Sequence, residues 1–337
     1  MENLLNAVVL AANYLVIPAT TYGCQIALGA LGVTLIFSVL RFSNFAHGEM
    51  MSFGTMITIF TVWGLQAAGI SIQPLSTALL ALPVSIAATI AVTLLTDRWV
   101  YRFYRVRRVE PIIMVIVSAG LMFFFSGLTR FVIGPEDRNF DDGVRFIISA
   151  REFKERTGLA EGMSFRTTQA ATIIVAVACV ALLFWFLERT RTGKTMRAYA
   201  DNEDLALLSG IDPEKVVMLA WTIAASLAAI AGTLYGMDKS YKPFVYQELL
   251  MPIFAAAIAG GFGNPLGAIA GGFLVAFSEV ALTYPYKRLV SYLVPPSWQP
   301  DGLLQFLATD YKYAISFFIL IIVLFTRPTG LLGKRSA

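Results

Sequence analysis

The chain has 337 residues, 57% hydrophobic and only 14% charged, with a mean hydropathy of +0.69 and a net charge of +4. A soluble domain carries about 25% charged residues, so this composition excludes an ordinary soluble fold. The small positive balance belongs to loops and gives no reason to expect a nucleic-acid partner.

No residue from Asn3 to Leu40 or from Met50 to Thr96 is Asp, Glu, Lys or Arg. A membrane span needs about 20 predominantly apolar residues, so each of these windows has room for two. Pro18 divides the first and the stretch Gln66–Pro74 the second. Four spans place the N-terminus inside, whereas a broken or half-span helix before Asn44 reverses that parity. No cleavable signal is expected, because residues 1–19 lack a basic leader and a small-residue cleavage site. Between the windows lies RFSNFAHGEMM, with His47, the only histidine of the chain. Without a second His or nearby Cys, a metal site lacks its ligands. The stretch reads as a helix break: Asn44 as cap, His47 hydrogen-bonded, Gly48 permitting the turn, Glu49 favouring the next N-terminus. Glu49 and Glu279, near window edges, are the main ionisable candidates inside the apolar regions and are expected where an interface or cavity solvates them.

DRWVYRFYRVRRVE, residues 97–110, holds five arginines against two acids, which places it in the cytoplasm. Ile112–Thr129 then spans outward to a loop, 134–166, with seven acids and six basic residues and no basic excess. Thr167–Leu187 returns the chain inside. The loop 188–215, ERTRTGKTMRAYADNEDLALLSGIDPEK, contains a GKT triplet, but the glycine a phosphate-binding loop needs five residues earlier is Glu188 or, with one residue of slippage, Leu187. ATP binding by this chain is not expected. Met196–Ser209 is expected to form one helix ending at Gly210, followed by a helix capped by Asp212 with Pro213 in its first turn. Leu205 and Leu208 then face a partner while Asp201, Glu203 and Asp204 stay wet.

Val216–Met237 leads outward, and the final span, Tyr313–Thr326, leads inward to the basic tail RPTGLLGKRSA. The 30-residue window Leu249–Ser278 between them is too long for one ordinary span and carries Asn264-Pro265 at its centre. It is expected to fold as a hairpin of two short helices, or a re-entrant pair, turning near GGFGNP. Gly263, Gly267 and Gly271 recur every four residues, a small-residue ladder that lets helices approach closely. Gly260 and Gly261 add to that break.

Taken in order, NFAHGE at 44–49, DRWVYRFYR at 97–105, RTRTGKTMRAYADNEDLALLSGID at 189–212, AAAIAGGFGNPLGAIAGG at 255–272 and RPTGLLG at 327–333 resemble the LivH-like permease subunits of ABC importers for branched-chain amino acids. That broader group also takes in LivM-like and ribose-type permeases. The chain departs from the pattern in about ten extra residues at its start, in the loop after 134 and in SYLVPPSWQPDGLLQ at 291–305.

The resemblance implies an all-α, polytopic permease of about 8–10 transmembrane helices, residues 1–337 forming one domain in a bacterial inner membrane. Segments 134–166 and 284–312 would be periplasmic and 188–215 the cytoplasmic coupling loop. Arg197, Ala198, Asp201, Glu203, Leu205, Leu208 and Gly210 would couple to an ATPase. Asn44, His47, Gly48, Glu49, Gly260, Gly261, Gly263, Asn264 and Gly267 would border the path or its helix breaks. Partners would be a second, LivM-like permease, two cytoplasmic ATPases that hold the ATP and Mg, and a periplasmic binding protein. No cofactor is implied in this chain. The alternatives are a permease for urea, short amides or another small solute, an ATP-independent transporter, or an intramembrane enzyme using Glu49 or His47.

Overall fold

The computed structural model describes residues 2–71, 75–140, 142–295, 302, 304–327 and 329–332. The basic tail residues Lys334 and Arg335, part of the 291–305 segment and the end of the Gln66–Pro74 divide lie outside these. Among the described residues, eight helical segments are long and apolar enough to cross a membrane, and one of 16 residues adds a shorter ninth.

The first window holds one helix rather than two spans. Helix α1 (Glu2–Ala11) runs through a π-turn (Ala12–Val16) into α2 (Ile17–Leu40) without leaving helical geometry. The Ile17 amide reaches back five residues to the Ala12 carbonyl. That wider turn admits Pro18, which has no N–H to donate, so the helix continues past the proline.

Helices α3 (His47–Ala67) and α4 (Ala78–Thr96) follow. A second π-turn (Asp97–Tyr101) joins α4 to α5 (Arg102–Val106), and α6 (Pro111–Ile133) crosses back. The first 106 residues thus hold three crossings. The N-terminus therefore lies on the face opposite the basic loop 97–110, called the far face below.

On the far face, β1 (Phe146–Ile148) and β2 (Phe165–Arg166) pair antiparallel around α7 (Ala150–Thr157). Then come α8 (Thr167–Arg189), two short helices α9 (Arg191–Asp201) and α10 (Glu203–Leu208), and α11 (Pro213–Lys239). Helices α12 (Val245–Gly260) and α13 (Pro265–Thr283) form the expected hairpin. A far-face helix α14 (Lys287–Leu293) and the last span α15 (Lys312–Thr326) complete the chain.

Side-chain size decides which helices are central. α2 and α11 are buried along most of their length and rich in Gly and Ala. A Cβ on Gly272 would come within 2.8 Å of the Ala27 backbone, and one on Gly54 equally close to Ala229. With lipid outside, helices gain nothing by hiding apolar area, so close packing of small surfaces selects the interior. The bulky residues point outward: Phe123, Phe124 and Phe131 on α6, Ile174 and Trp185 on α8, Phe318 and Phe325 on α15.

The three departures from the family pattern meet on the far face. Asn6 accepts the Glu161 amide at 3.0 Å, and Asn13 accepts the Ser164 amide at 3.0 Å. The Glu161 carboxylate accepts from Arg288 and Tyr292 of α14, each at 2.8 Å. Asp142 accepts from the Ser76 hydroxyl at 2.8 Å and the Thr77 amide at 2.7 Å, tying the same loop to the start of α4.

Within the hairpin, a side chain on Gly260 or Gly267 would collide with the other's backbone, and one on Gly271 with Ala256. Gly263 is not on this ladder; it sits in the turn with φ +83°, and a Cβ there would make only an ordinary contact with the Ser38 hydroxyl at 3.6 Å. Gly267→Leu is expected to destabilise the chain by about 1–3 kcal/mol or more through overpacking. Gly120→Leu, which meets open space, should stay within ~0.5 kcal/mol. Unfolding midpoints in one detergent compare the two.

Candidate functional site

The helix break begins at Arg41, whose φ of +56° turns the chain out of α2 while its amide still caps the Phe37 carbonyl at 3.0 Å. Residues 42–46 then run back into the bundle. The Phe45 amide donates to the Ser118 hydroxyl at 3.1 Å. Ser118 lies seven residues into α6, ~10 Å along it at 1.5 Å per residue. Helix α3 therefore starts well inside the membrane.

Asn44 is not the cap of α3; that position is Ala46, which makes no side-chain cap. Its side-chain oxygen instead accepts the Ala46 amide at 3.1 Å and the Tyr101 hydroxyl at 3.1 Å. This local turn satisfies backbone that no helix covers. The His47 ring packs against the backbone of Gly29 and Gly32 on α2, and its Nε2 has no partner. Gly48 is helical, so it does not make the turn; a Cβ there would lie 2.6 Å from the Tyr246 carbonyl oxygen. It permits helix approach.

Glu49 and Glu279 are 1% and 2% exposed, not solvated at an edge as the charge-free windows suggested. The re-entry of residues 41–46 explains Glu49: the edge of a window in sequence is mid-bundle in space. It faces Ser126 and Arg130 of α6, and neither carboxylate oxygen makes a hydrogen bond. Glu279 accepts from the Ser316 hydroxyl of α15.

The second break, at residues 261–264, is sealed by the chain's own C-terminal segment. The Leu331 amide donates to the Ala259 carbonyl at 2.8 Å and the Leu332 amide to that of Gly260 at 3.2 Å. Asn264 caps α13 by accepting the Gly267 amide at 3.2 Å, and its amide nitrogen donates to the Leu332 carbonyl at 2.7 Å. Gly330, at φ +81°, lies against Gly261. The glycine-rich segment and RPTGLLG, 68 residues apart across the Asn264–Leu332 bond, thus form one joint.

The loop 188–215 differs from the single helix expected over Met196–Ser209. Asn202 is extended (φ −151°) and its side chain accepts the Leu205 amide at 3.0 Å, so the helix stops and restarts. Thr190 caps α9 by accepting the Gly193 amide at 2.9 Å, which places the GKT triplet in that helix's first turns. Gly210 is left-handed (φ +79°), and Asp212 accepts the Glu214 amide ahead of Pro213, both as expected.

Met196, Tyr199 and Ala206 are buried against the bundle, while Arg197, Ala198 and Asp201 face out. Leu205 and Leu208 are 61% and 85% exposed. Glu203 is engaged, accepting the Tyr199 hydroxyl at 2.7 Å. Burial and that bond push the Tyr199 phenol above its ordinary range, so it stays a donor.

Two ties join this surface to the first break. The Arg41 guanidinium donates to the Ala200 carbonyl at the end of α9. Arg105 pairs with Asp97 at 2.7 Å and with Glu214 at 3.1 Å, linking the α4–α5 helix to the start of α11. Asp97 accepts the Trp221 indole N–H at 2.8 Å, and Tyr101 stacks on Trp221 with centroids 5.0 Å apart. The same Tyr101 holds Asn44. Nothing in DRWVYRFYR marks the roles of Asp97, Tyr101 or Arg105 at the level of residue order, and Trp221 is hidden inside an apolar window.

The model of the family described as branched-chain amino acid transport system, permease component, matches residues 15–324. The chain belongs to this family. It is a multi-pass membrane transport permease. The permease protein LivH of the high-affinity branched-chain amino acid transport system of Salmonella typhimurium is 30% identical over 93% of each chain. The corresponding BraD of Pseudomonas aeruginosa is 28% identical over the same share of each. The fructose import permease protein FruG of Bifidobacterium longum is 23% identical over 80% of each. Residues 1–14, with Asn6 and Asn13, fall outside the family model.

Asn44→Ala leaves the buried Tyr101 hydroxyl and the Ala46 amide unpaired and is expected to cost about 1–3 kcal/mol. Tyr101→Phe removes both the donor and its need, so the double variant should show a coupling of about 0.5–3 kcal/mol in a double-mutant cycle. Denaturant unfolding in detergent measures it.

Proposed function

We propose that the chain is the permease subunit of an ATP-driven importer for branched-chain amino acids, delivered by a binding protein on the far face. That face is periplasmic and the basic face cytoplasmic, in a bacterial inner membrane, as the positive-inside rule assigns it. The carrying observation is a surface of two short helices, with exposed Leu205 and Leu208, tied through Arg41 and Ala200 to the helix break at 41–46.

A soluble partner that buries Leu205 and Leu208 gains about 1.5–3 kcal/mol for each side chain fully covered. Arg197 and Ala198, which also face out on α9, extend the surface the partner covers. In this reading two ATPases grip this surface on this chain and on a second, related permease, and ATP and its Mg are theirs. When they close, α9 and α10 move as a unit because Asn202, Tyr199 and Thr190 fix their internal geometry. Arg41 passes the displacement to residues 41–46. The Arg105 pairs pass it to α5 and α11, and Tyr101 returns it to Asn44. A break held at mid-bundle is where such a displacement changes the angle of α3. The broken hairpin, with Gly260, Gly261 and Gly263, is the second hinge. Solute selection falls outside these residues, and FruG shows that the family also includes a sugar permease.

Two measurements test the reading. Vesicles holding this chain with its permease, ATPase and binding-protein partners should take up leucine, isoleucine or valine only with ATP; uptake without ATP or partners sinks it, and a binding-protein preference for a urea-like amide or a sugar redirects the substrate. Leu205→Arg with Leu208→Arg should reduce ATPase co-purification at least about tenfold, the loss expected for about 1.4 kcal/mol or more, with the unfolding midpoint unchanged.

A further inference from the structure

The basic-face ends of α2, α12, α13 and α15 and the end of α9 line an open cavity of about 610 Å³. Small-molecule sites run about 300–1,000 Å³ and combine apolar walls with a few placed polar groups. Here the apolar walls are Ile258, Phe262 and Leu324. The polar side chains include Asn264, but both ends of its amide are committed, to Gly267 and Leu332. The charged groups are Arg41 and Asp201.

Arg41 donates to the Ala200 carbonyl and takes part in no ion pair among the described residues. Asp201 adjoins that carbonyl, lines the same cavity and makes no hydrogen bond or ion pair among the described residues. One guanidinium and one carboxylate therefore belong to the lining of one cavity without pairing with each other. Arg is suited to a carboxylate partner, which it can hold through two parallel N–H bonds. An α-amino acid carries a carboxylate and an ammonium on a single carbon, so its two charges reach two neighbouring protein groups of opposite sign. Its side chain then projects onto the third wall.

We infer that this cavity binds a free zwitterionic α-amino acid with an aliphatic side chain, its carboxylate on Arg41, its ammonium at Asp201 and its side chain against Ile258, Phe262 and Leu324. The ligand chemistry is read from the cavity alone. Its consequence rests on the import reading: the site opens on the side where product is released and lies at the Arg41–Ala200 tie. Product bound there bridges α2, α9 and the hairpin and holds the joint that has to move, so accumulated product slows its own import.

The binding test uses the purified full chain in lipid nanodiscs and radiolabelled leucine. Saturable binding is expected, competed by isoleucine and valine. Leucinol, which lacks the carboxylate, and isocaproate, which lacks the ammonium, should compete at least about tenfold more weakly. Leu324→Trp fills the cavity and should abolish binding. Asp201→Asn, at an exposed position that does not support the fold, should weaken it at least about tenfold. Leucine binding that survives both variants, or that leucinol matches, overturns the site, as does the absence of saturable binding. In vesicles of the assembled importer, leucine preloaded on the ATPase side should slow uptake relative to empty vesicles, and Leu324→Trp should remove that difference. ATP-dependent uptake without binding to the nanodisc chain would refute the cavity and leave the import reading standing. Binding without ATP-dependent uptake would refute the import reading and leave the cavity.

Discussion

Backbone amides and carbonyls inside a bilayer have no water to turn to, and this chain leaves helical geometry at residues 41–46 within its bundle and again at 261–264 at the basic-face end of its hairpin. Each unsatisfied group would cost several kcal/mol. Both departures are closed by an asparagine of the break itself together with protein from elsewhere in the sequence. At residues 41–46, the Ser118 hydroxyl, the Asn44 side chain and the Tyr101 hydroxyl provide the closure. At 261–264, it comes from the amides of Leu331 and Leu332 and the side chain of Asn264. Around these two irregular segments the interior helices are the small-residue ones, and large side chains of α6, α8 and α15 face outward.

The polar side chains that serve the breaks also connect them to the basic face. Asp97 is mostly buried with two donors, Arg105 and Trp221, so its charge is compensated by a cation and a neutral N–H together. Arg105 reaches Glu214 as well, and Arg102 adds a second, more exposed contact to it at 3.4 Å. Exposed pairs of this kind contribute little stability alone. Their use here is geometric, since they hold the ends of two long helices in register beneath a stacked Tyr101–Trp221 pair.

Much of this was legible from residue order alone. Charge-free windows located most of the spans, the first holding one where two were expected, and parity required the Leu249–Ser278 window to fold back on itself. Caps with a local signature, Asp212-Pro213 and Gly210, stand where their chemistry put them. What could not be read depends on groups distant in sequence. Pro18 looked like a divider because the π-turn that accommodates it has no residue signature. Asn202 reads as one more polar residue in a helix-favouring run until its side chain competes for the Leu205 amide. The depth of Glu49 follows from how far residues 41–46 re-enter, which Ser118 and Tyr101 decide. His47 is simpler: the lone imidazole fits against α2 because Gly32 has no Cβ to occupy its place.

The sealing of the hairpin carries a consequence for how the chain is made. Helices α12 and α13 are synthesised and can enter the bilayer well before residues 331 and 332 leave the ribosome. Until then the carbonyls of Ala259 and Gly260 lack the amides that later cover them. The hairpin is thus inserted open and closed late, by a strand that reaches it from the aqueous side. A chain truncated before Leu331 would carry a full set of spans and still expose an unfinished turn, which gives membrane quality control a physical mark of incompleteness.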